Sequence, residues 1–273
     1  MEGLSMRHIE LTVDEHIATI TLNRPKQLNA FSEDMLRGWI EALEQVRDDD
    51  DIRVCIVTGS GKAFCAGGDI KAMAAGKGFY DSEQDISTTA LARKNSLWKL
   101  VQRIPLLLQE IDKPVIAKVN GFAMGAGFDM ALMCDIRIAC SSATMSESYV
   151  NVGIVPGDGG AYFLPKLIGK DRALDLLWTA RILTAQQAYD LGLVTFVVEE
   201  NELDHFTHEY AKKLAAGPQV AIRMMKRAVY DSERLDLRTA LDLISSQMGI
   251  VTEHDDFTEG VQAIIEKRKP NFE

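Results

Sequence analysis

"PVIAKVNGFAMGAGFDMALMCD", residues 114–135, is the stretch on which the fold turns. Its first part is a short β-branched apolar run, which reads as a buried strand. A turn of small residues follows at Gly125, Ala126 and Gly127, and then an apolar segment reads as a helix. Strand, turn and helix in that order belong to a layered α/β protein. The helix should begin near Gly125 to Gly127, where its first amides lack intrahelical partners and the helix dipole adds partial positive charge. Small side chains there let an oxyanion approach those amides. Asp129 falls in the first turn, either to stabilise the helix start or to act on what binds there.

A second stretch has the same logic. "RVCIVTG" is a buried-strand candidate, and "GKAFCAGGDI", residues 61–70, follows it. Gly67 and Gly68 permit conformations that expose an N–H. Either stretch alone is equally well a turn made of turn residues. Together they offer two amides, each at a strand end, which is what a thioester enolate oxygen requires.

Outward from these stretches the chain keeps alternating. "MRHIELTVDEHIATITLN" alternates apolar and polar residues on either side of Asp14-Glu15, as a hairpin does. "SEDMLRGWIEALEQVRDD" has a cap residue at Ser32 and apolar residues three and four apart, so it is an amphipathic helix. A long helical segment is expected over roughly residues 82–111. "DIRIACSSATMS" and "LVTFVVEE" add strands, and "TAQQAYDLG" a helix from Thr184 to the stop at Gly192. From about residue 200 the pattern is helical only. The polar, glycine-containing run over residues 74–90 is the candidate for a mobile loop. The expected division is an α/β core over residues 1–198 and a helical C-terminal extension over 199–273.

Composition narrows the function. The 273 residues are 47% apolar and 26% charged, as in an ordinary globular protein. A net charge of −10 argues against a nucleic-acid binder. With no long uncharged apolar run and no secretory leader pattern, the chain reads as cytoplasmic. Cys55, Cys65, Cys134 and Cys140 form no C-x-x-C pair and read as buried thiols. His205 and His208 stand without clustered ligands, so no metal site is expected. "GSGKA" lacks the spacer and hydroxyl of a phosphate loop, and "GAGFDM" has Met130 where a dinucleotide fingerprint needs its third glycine. No serine-hydrolase elbow occurs.

The whole set of motifs closely resembles the crotonase superfamily of enoyl-CoA hydratases and isomerases. The resemblance rests on "ITLNRPKQLNAFSEDM", "GSGKAFCAGGDIKAM", "KPVIAKVNGFAMGAGFDMALMCDIRIA", "VGIVPGDGGAYFLPKLIG", "LTAQQAYDLGLV" and "EGVQAIIEKRKPNF" and spans residues 8–272. It implies repeated β-β-α turns forming two near-perpendicular sheets, with a C-terminal helical domain that builds a trimer or a dimer of trimers. It implies an acyl-CoA thioester substrate and no further cofactor. By motif, the oxyanion hole would be the amides of Gly68 and Ala126. CoA would lie along Arg24, Lys26, Leu28, Ala66, Asp69, Ile70 and Lys71, with Lys267 approaching from a neighbouring subunit; a solvated helix end is the plain alternative for Lys267.

The chain departs from the hydratase pattern at the acids. The resemblance places two glutamates around the added water; here Asp129 stands for the first and Tyr149 for the second. A tyrosine with an ordinary pKa near ~10 is a poor general base at neutral pH. Glu147 falls on the other face if its segment is extended. Asp158, in "PGDGG", is a second carboxylate on the same wall, one residue beyond where related isomerases carry an acid. The expectation is therefore proton transfer and double-bond isomerisation, rather than water addition. Asp129 and Asp158 would handle protons, and Tyr149 would serve as a polar positioner. A decarboxylase or hydrolase using the same oxyanion hole, and a non-catalytic CoA-thioester binder, are the alternatives.

Overall fold

The computed structural model describes residues 4–6, 8–80 and 89–272. The expected hairpin is present: β2 (Ile9–Asp14) and β3 (Ile17–Leu22) pair antiparallel, and β1 (Leu4–Met6) adds to β2. The chain then crosses over through α1 (Glu33–Asp48) to β4 (Val54–Gly59), which lies parallel to β3. Ser32 caps α1 by accepting from the Met35 amide. Met35, Leu36, Trp39, Leu43 and Val46 fill its inner face. At the other end Lys113, only 1% exposed, donates to the carbonyls of Val46 (2.7 Å) and Asp49 (2.5 Å). A cation at a helix C-terminus satisfies orphan carbonyls and opposes the negative end of the dipole.

Three strand pairs then repeat: β4 with β5 (Ala63–Cys65), β6 (Val115–Val119) with β7 (Phe122–Met124), and β8 (Ile136–Cys140) with β9 (Thr144–Ser146). The first strand of each pair joins the large sheet and the second joins a smaller one. The large sheet has the order β1-β2-β3-β4-β6-β8-β11, with β11 (Phe196–Val198) at its edge. The small sheet has the order β10-β9-β7-β5, with β10 (Leu183–Thr184) at its edge. At the β6–β7 corner the backbones come close: a Cβ on Gly121 would lie 2.1 Å from the Lys62 carbonyl oxygen. Buried apolar side chains from both sheets and α1 form one continuous core. All four cysteines are free and buried in the described chain.

Two short strands of the small sheet, β5 and β7, have no sequence period of their own because three residues are too few to show one. Helices α2 (Ile70–Ala74) and α3 (Ala90–Ser96), a π-turn over Leu97–Val101 and α4 (Arg103–Glu110) occupy the middle of the chain. The segment expected to be helical from 82 is thus helical from Ala90, and residues 81–88, which also hold much of the loop candidate, lie outside the described residues.

Helix α5 (Ala126–Leu132) begins where the opening stretch places it. After α6 (Gly160–Ile168) and α7 (Lys170–Thr179) comes α8 (Ala185–Asp190), held by a capping box between Thr184 and Gln187. Helix α9 (Leu203–Ala215) packs on β3, β4, β6 and β8. Helix α10 (Gln219–Ser232) is tied to the core by Lys226 and Tyr230 on Asp135 and by Arg223 on Asp112. The last helices, α11 (Leu237–Glu253) and α12 (Asp255–Glu266), leave Leu237, Leu241, Met248, Ile250, Ile264 and Ile265 exposed. Among the described residues no helix is long and apolar enough to cross a membrane.

Candidate active site

Strands β5 and β7 are parallel neighbours, with Ala63 opposite Phe122 and Cys65 opposite Ala123. The turns that follow them therefore emerge side by side, and the two glycine-rich stretches meet. Gly67 has φ +76°, and a Cβ there would lie 2.6 Å from the Met124 carbonyl oxygen and 2.9 Å from the Ala126 nitrogen. Only glycine fits that backbone conformation in that space. Beyond it, the amides of Gly68 and Ala126 donate to no protein acceptor among the described residues. Both residues line one cavity of about 400 Å³.

The cavity wall is mostly apolar, with Phe31, Met73, Phe79, Leu97, Val101 and Ile154 among its residues. Tyr149 and Asp158 also line it, and Asp158 is its one charged residue among those described. Neither Asp129 nor Glu147 reaches it: they are 0% and 1% exposed.

Behind the wall two carboxyl groups converge on one phenol, with the Glu147 carboxyl beside Asp129. Asp129 comes from α5, Tyr149 from a short 3₁₀ turn (Ser148–Val152), and Asp158 from the loop before α6. The Tyr149 hydroxyl is hydrogen-bonded to Asp129 Oδ2 and, at 2.6 Å, to Asp158 Oδ1. Asp129 fits because its neighbour is Gly160: a Cβ there would sit 2.2 Å from Asp129 Oδ1. Asp129 Oδ1, Asp158 Oδ2 and both Glu147 carboxyl oxygens are buried without a protein partner.

Burial of these acids sets their protonation. Desolvation pushes Asp129 well above the ordinary carboxyl range, and the nearby charges of Asp158 and Glu147 add to it. Desolvation pushes Glu147 up to about 8. Asp158 is raised as well, by burial, but the hydrogen bond from Tyr149 acts against that rise. Tyr149 is held neutral, its pKa raised by burial and by the two aspartates. Of the three acids, Asp158 is the one that faces the cavity. Glu147 would fall on the other face only if its segment were extended, and that condition is not met. Its neighbour segment is a 3₁₀ turn and not an extended strand, so Glu147 turns inward to join Asp129, and nothing in its spacing signals this.

The residues expected to hold CoA divide into two groups. Arg24 and Asp69 form a buried ion pair at 2.9 Å. Arg24 also donates to the Ala30 and Phe31 carbonyls, and Asp69 caps α2 through the Lys71 and Ala72 amides. This pair fastens the turn after β3 to the start of α2. Lys26, Leu28, Ile70 and Lys71 are exposed. The Ala66 amide donates to the Leu28 carbonyl, which aligns the two strips, and Ala66 and Ile70 reach the cavity. Lys267 is exposed at the end of α12 and lines none of this cavity in its own chain.

Comparison with known proteins gives the same direction. The profile of the family described as enoyl-CoA hydratase/isomerase matches residues 12–273. The chain is 36% identical to crotonyl-CoA hydratase of Syntrophomonas wolfei subsp. wolfei, over 98% of this chain and 99% of that one. It is 34% identical to 1,2-epoxyphenylacetyl-CoA isomerase of Escherichia coli, over 98% of each. The crystal structure of enoyl-CoA hydratase from Bacillus anthracis superposes with a TM-score of 0.85 at 35% identity, covering 97% of this chain and 98% of that one. Two sheets built from repeated strand pairs, two unsatisfied amides at one cavity, and a match along nearly the whole length lead to one statement: the chain is an enzyme of the enoyl-CoA hydratase/isomerase family, within the crotonase superfamily.

Proposed function

We propose that the enzyme moves the double bond of an enoyl-CoA thioester by proton transfer, in preference to adding water across it. The observation that carries this reading is that a single carboxyl group, Asp158, faces the cavity among the described residues. Water addition calls for one group to hold the nucleophile and another to protonate the α carbon. Isomerisation needs one base that removes a proton at C2 and returns it at C4. The free amides of Gly68 and Ala126 would bind the thioester oxygen as it takes up enolate charge. The chemistry calls for no cofactor beyond the CoA of the substrate.

The apolar wall suits an uncharged acyl chain. The exposed strip of Lys26, Leu28, Ile70 and Lys71 would receive the CoA moiety, with Arg24 and Asp69 supporting it from beneath. The exposed apolar side chains of α11 and α12 favour a trimer or a dimer of trimers, in which Lys267 would meet a neighbour's CoA. Decarboxylation or hydrolysis in the same oxyanion hole would need no base at C2. Asp158→Asn therefore tests the reading: it should cut isomerisation at least a hundredfold while CoA binding persists. Retention of full turnover would contradict it.

A further inference from the structure

The hydroxyl of Tyr149 touches two carboxyl groups but carries one hydrogen. It is hydrogen-bonded to Asp129 Oδ2 and to Asp158 Oδ1. A phenol oxygen can donate once and must accept for any second bond. If it donates to one aspartate, the other must itself be protonated and donate to the phenol. Two arrangements satisfy this count, and the surroundings separate them. Asp129 is completely buried against Gly160, with Glu147 beside it and its second oxygen without a partner. Asp158 borders the cavity and, on its other side, a second cavity of about 830 Å³ between α4, α6 and α10. The anion is better placed at Asp158, the acid at Asp129.

We infer that Tyr149 is a positioning residue that holds the charge of the buried acid cluster at Asp158, by giving its only hydrogen to Asp158 and accepting one from Asp129. The other groups facing Asp158 do not supply that role. Cys65 of β5 is a thiol driven to about 12 by burial and stays neutral. Across the second cavity, Lys226 is engaged by Asp135, Arg227 by Asp112 and Arg234 by Gln109, while Asp231 adds negative charge. Among the described residues no cation pairs with Asp158. Its charge therefore depends on the phenol and the neutral Asp129. When the C2–H bond breaks, the proton goes to Asp158 and the electron pair to the thioester oxygen. The same proton forms the C4–H bond as the pair returns. Tyr149 keeps its hydrogen throughout, and Asp129 keeps its own.

The inference rests on the reading of Asp158 as the base, and its test has an arm that does not. The infrared carbonyl band of a protonated aspartic acid, identified by carbon-13 labelling of aspartate at neutral pH, reports which residue holds the proton without any substrate. The band should be present in the native enzyme, persist in Asp158→Asn and vanish in Asp129→Asn; any other pattern overturns the inference. The kinetic arm is Tyr149→Phe, which keeps the ring and removes the bond to Asp158. Loss of a hydrogen bond to an anion should move the acid limb of the kcat/KM profile upward by about one pH unit or more. An unmoved limb would make Tyr149 a packing residue only and overturn the inference, even if turnover falls.

Discussion

Gly67 and Ala126, far apart in sequence, are so close that a single methyl group on Gly67 would stand 2.9 Å from the Ala126 nitrogen. That closeness is what brings the two free amides to one cavity, and it depends on β5 and β7 being parallel neighbours. Gly67→Ala should therefore do two things. It places a side chain at φ +76° and forces the turns apart. Turnover should fall by at least tenfold and the thermal midpoint should drop. A variant with native kinetics would show that the spacing of the amides is not critical.

Gly68→Pro removes one of the two donors directly. The expected loss is on the order of 10²–10³ in kcat, the usual effect of one oxyanion donor. Circular dichroism should show the fold retained. A folded variant with near-normal kcat would remove the Gly68 amide from the site.

The buried acids predict a pH dependence of stability with a definite sign. Glu147 has its pKa raised from 4.5 to about 8 by burial. Unfolded chain loses that proton above the lower value, while folded chain keeps it until the higher one. Stability contributed by the group is thus present below 4.5 and falls as pH rises toward about 8, by up to about 1.4 kcal/mol per pH unit. Glu147→Gln cannot ionise, so its urea midpoint should gain on the native enzyme between about pH 5 and about pH 8. A difference that stays flat across that window would mean Glu147 is not buried in its acid form.

Lys113 gives a prediction about the scaffold. It is buried, and its ammonium caps the end of α1 at the Val46 and Asp49 carbonyls. Lys113→Met keeps the length of the side chain and strands both acceptors. The loss should be about 2–6 kcal/mol, since two acceptors are stranded and each buried unsatisfied group costs about 1–3 kcal/mol. Chemical denaturation showing a loss below about 1 kcal/mol would contradict the capping role.

Much of this architecture was legible in the chain itself. The hairpin, the Ser32 and Thr184 caps, the strand before residue 60 and the start of α5 follow from periodicity and turn chemistry, which are local. Family resemblance added the meeting of the two glycine-rich turns, which no local pattern contains. What could not be read was the inward turn of Glu147, because a 3₁₀ segment at Ser148–Val152 breaks the alternation that an extended reading assumes. The sharing of Tyr149 between two aspartates was equally hidden, since it joins three separate elements. Arg24 and Asp69 illustrate a third limit: charge in a motif gives no sign of whether it faces a ligand or another charge of the same chain, and here they face each other.

The central claim is that one base at Asp158 and two backbone donors move a proton along an enoyl-CoA. It is tested most directly by assaying the native enzyme side by side on a trans-3-enoyl-CoA and on crotonyl-CoA. Isomerisation of the 3-enoyl thioester is expected with kcat/KM at least a hundredfold above that for hydration of crotonyl-CoA. Crotonyl-CoA hydration at kcat/KM above roughly 10⁶ M⁻¹s⁻¹, in the upper range for enzymes, with no isomerisation, would contradict it.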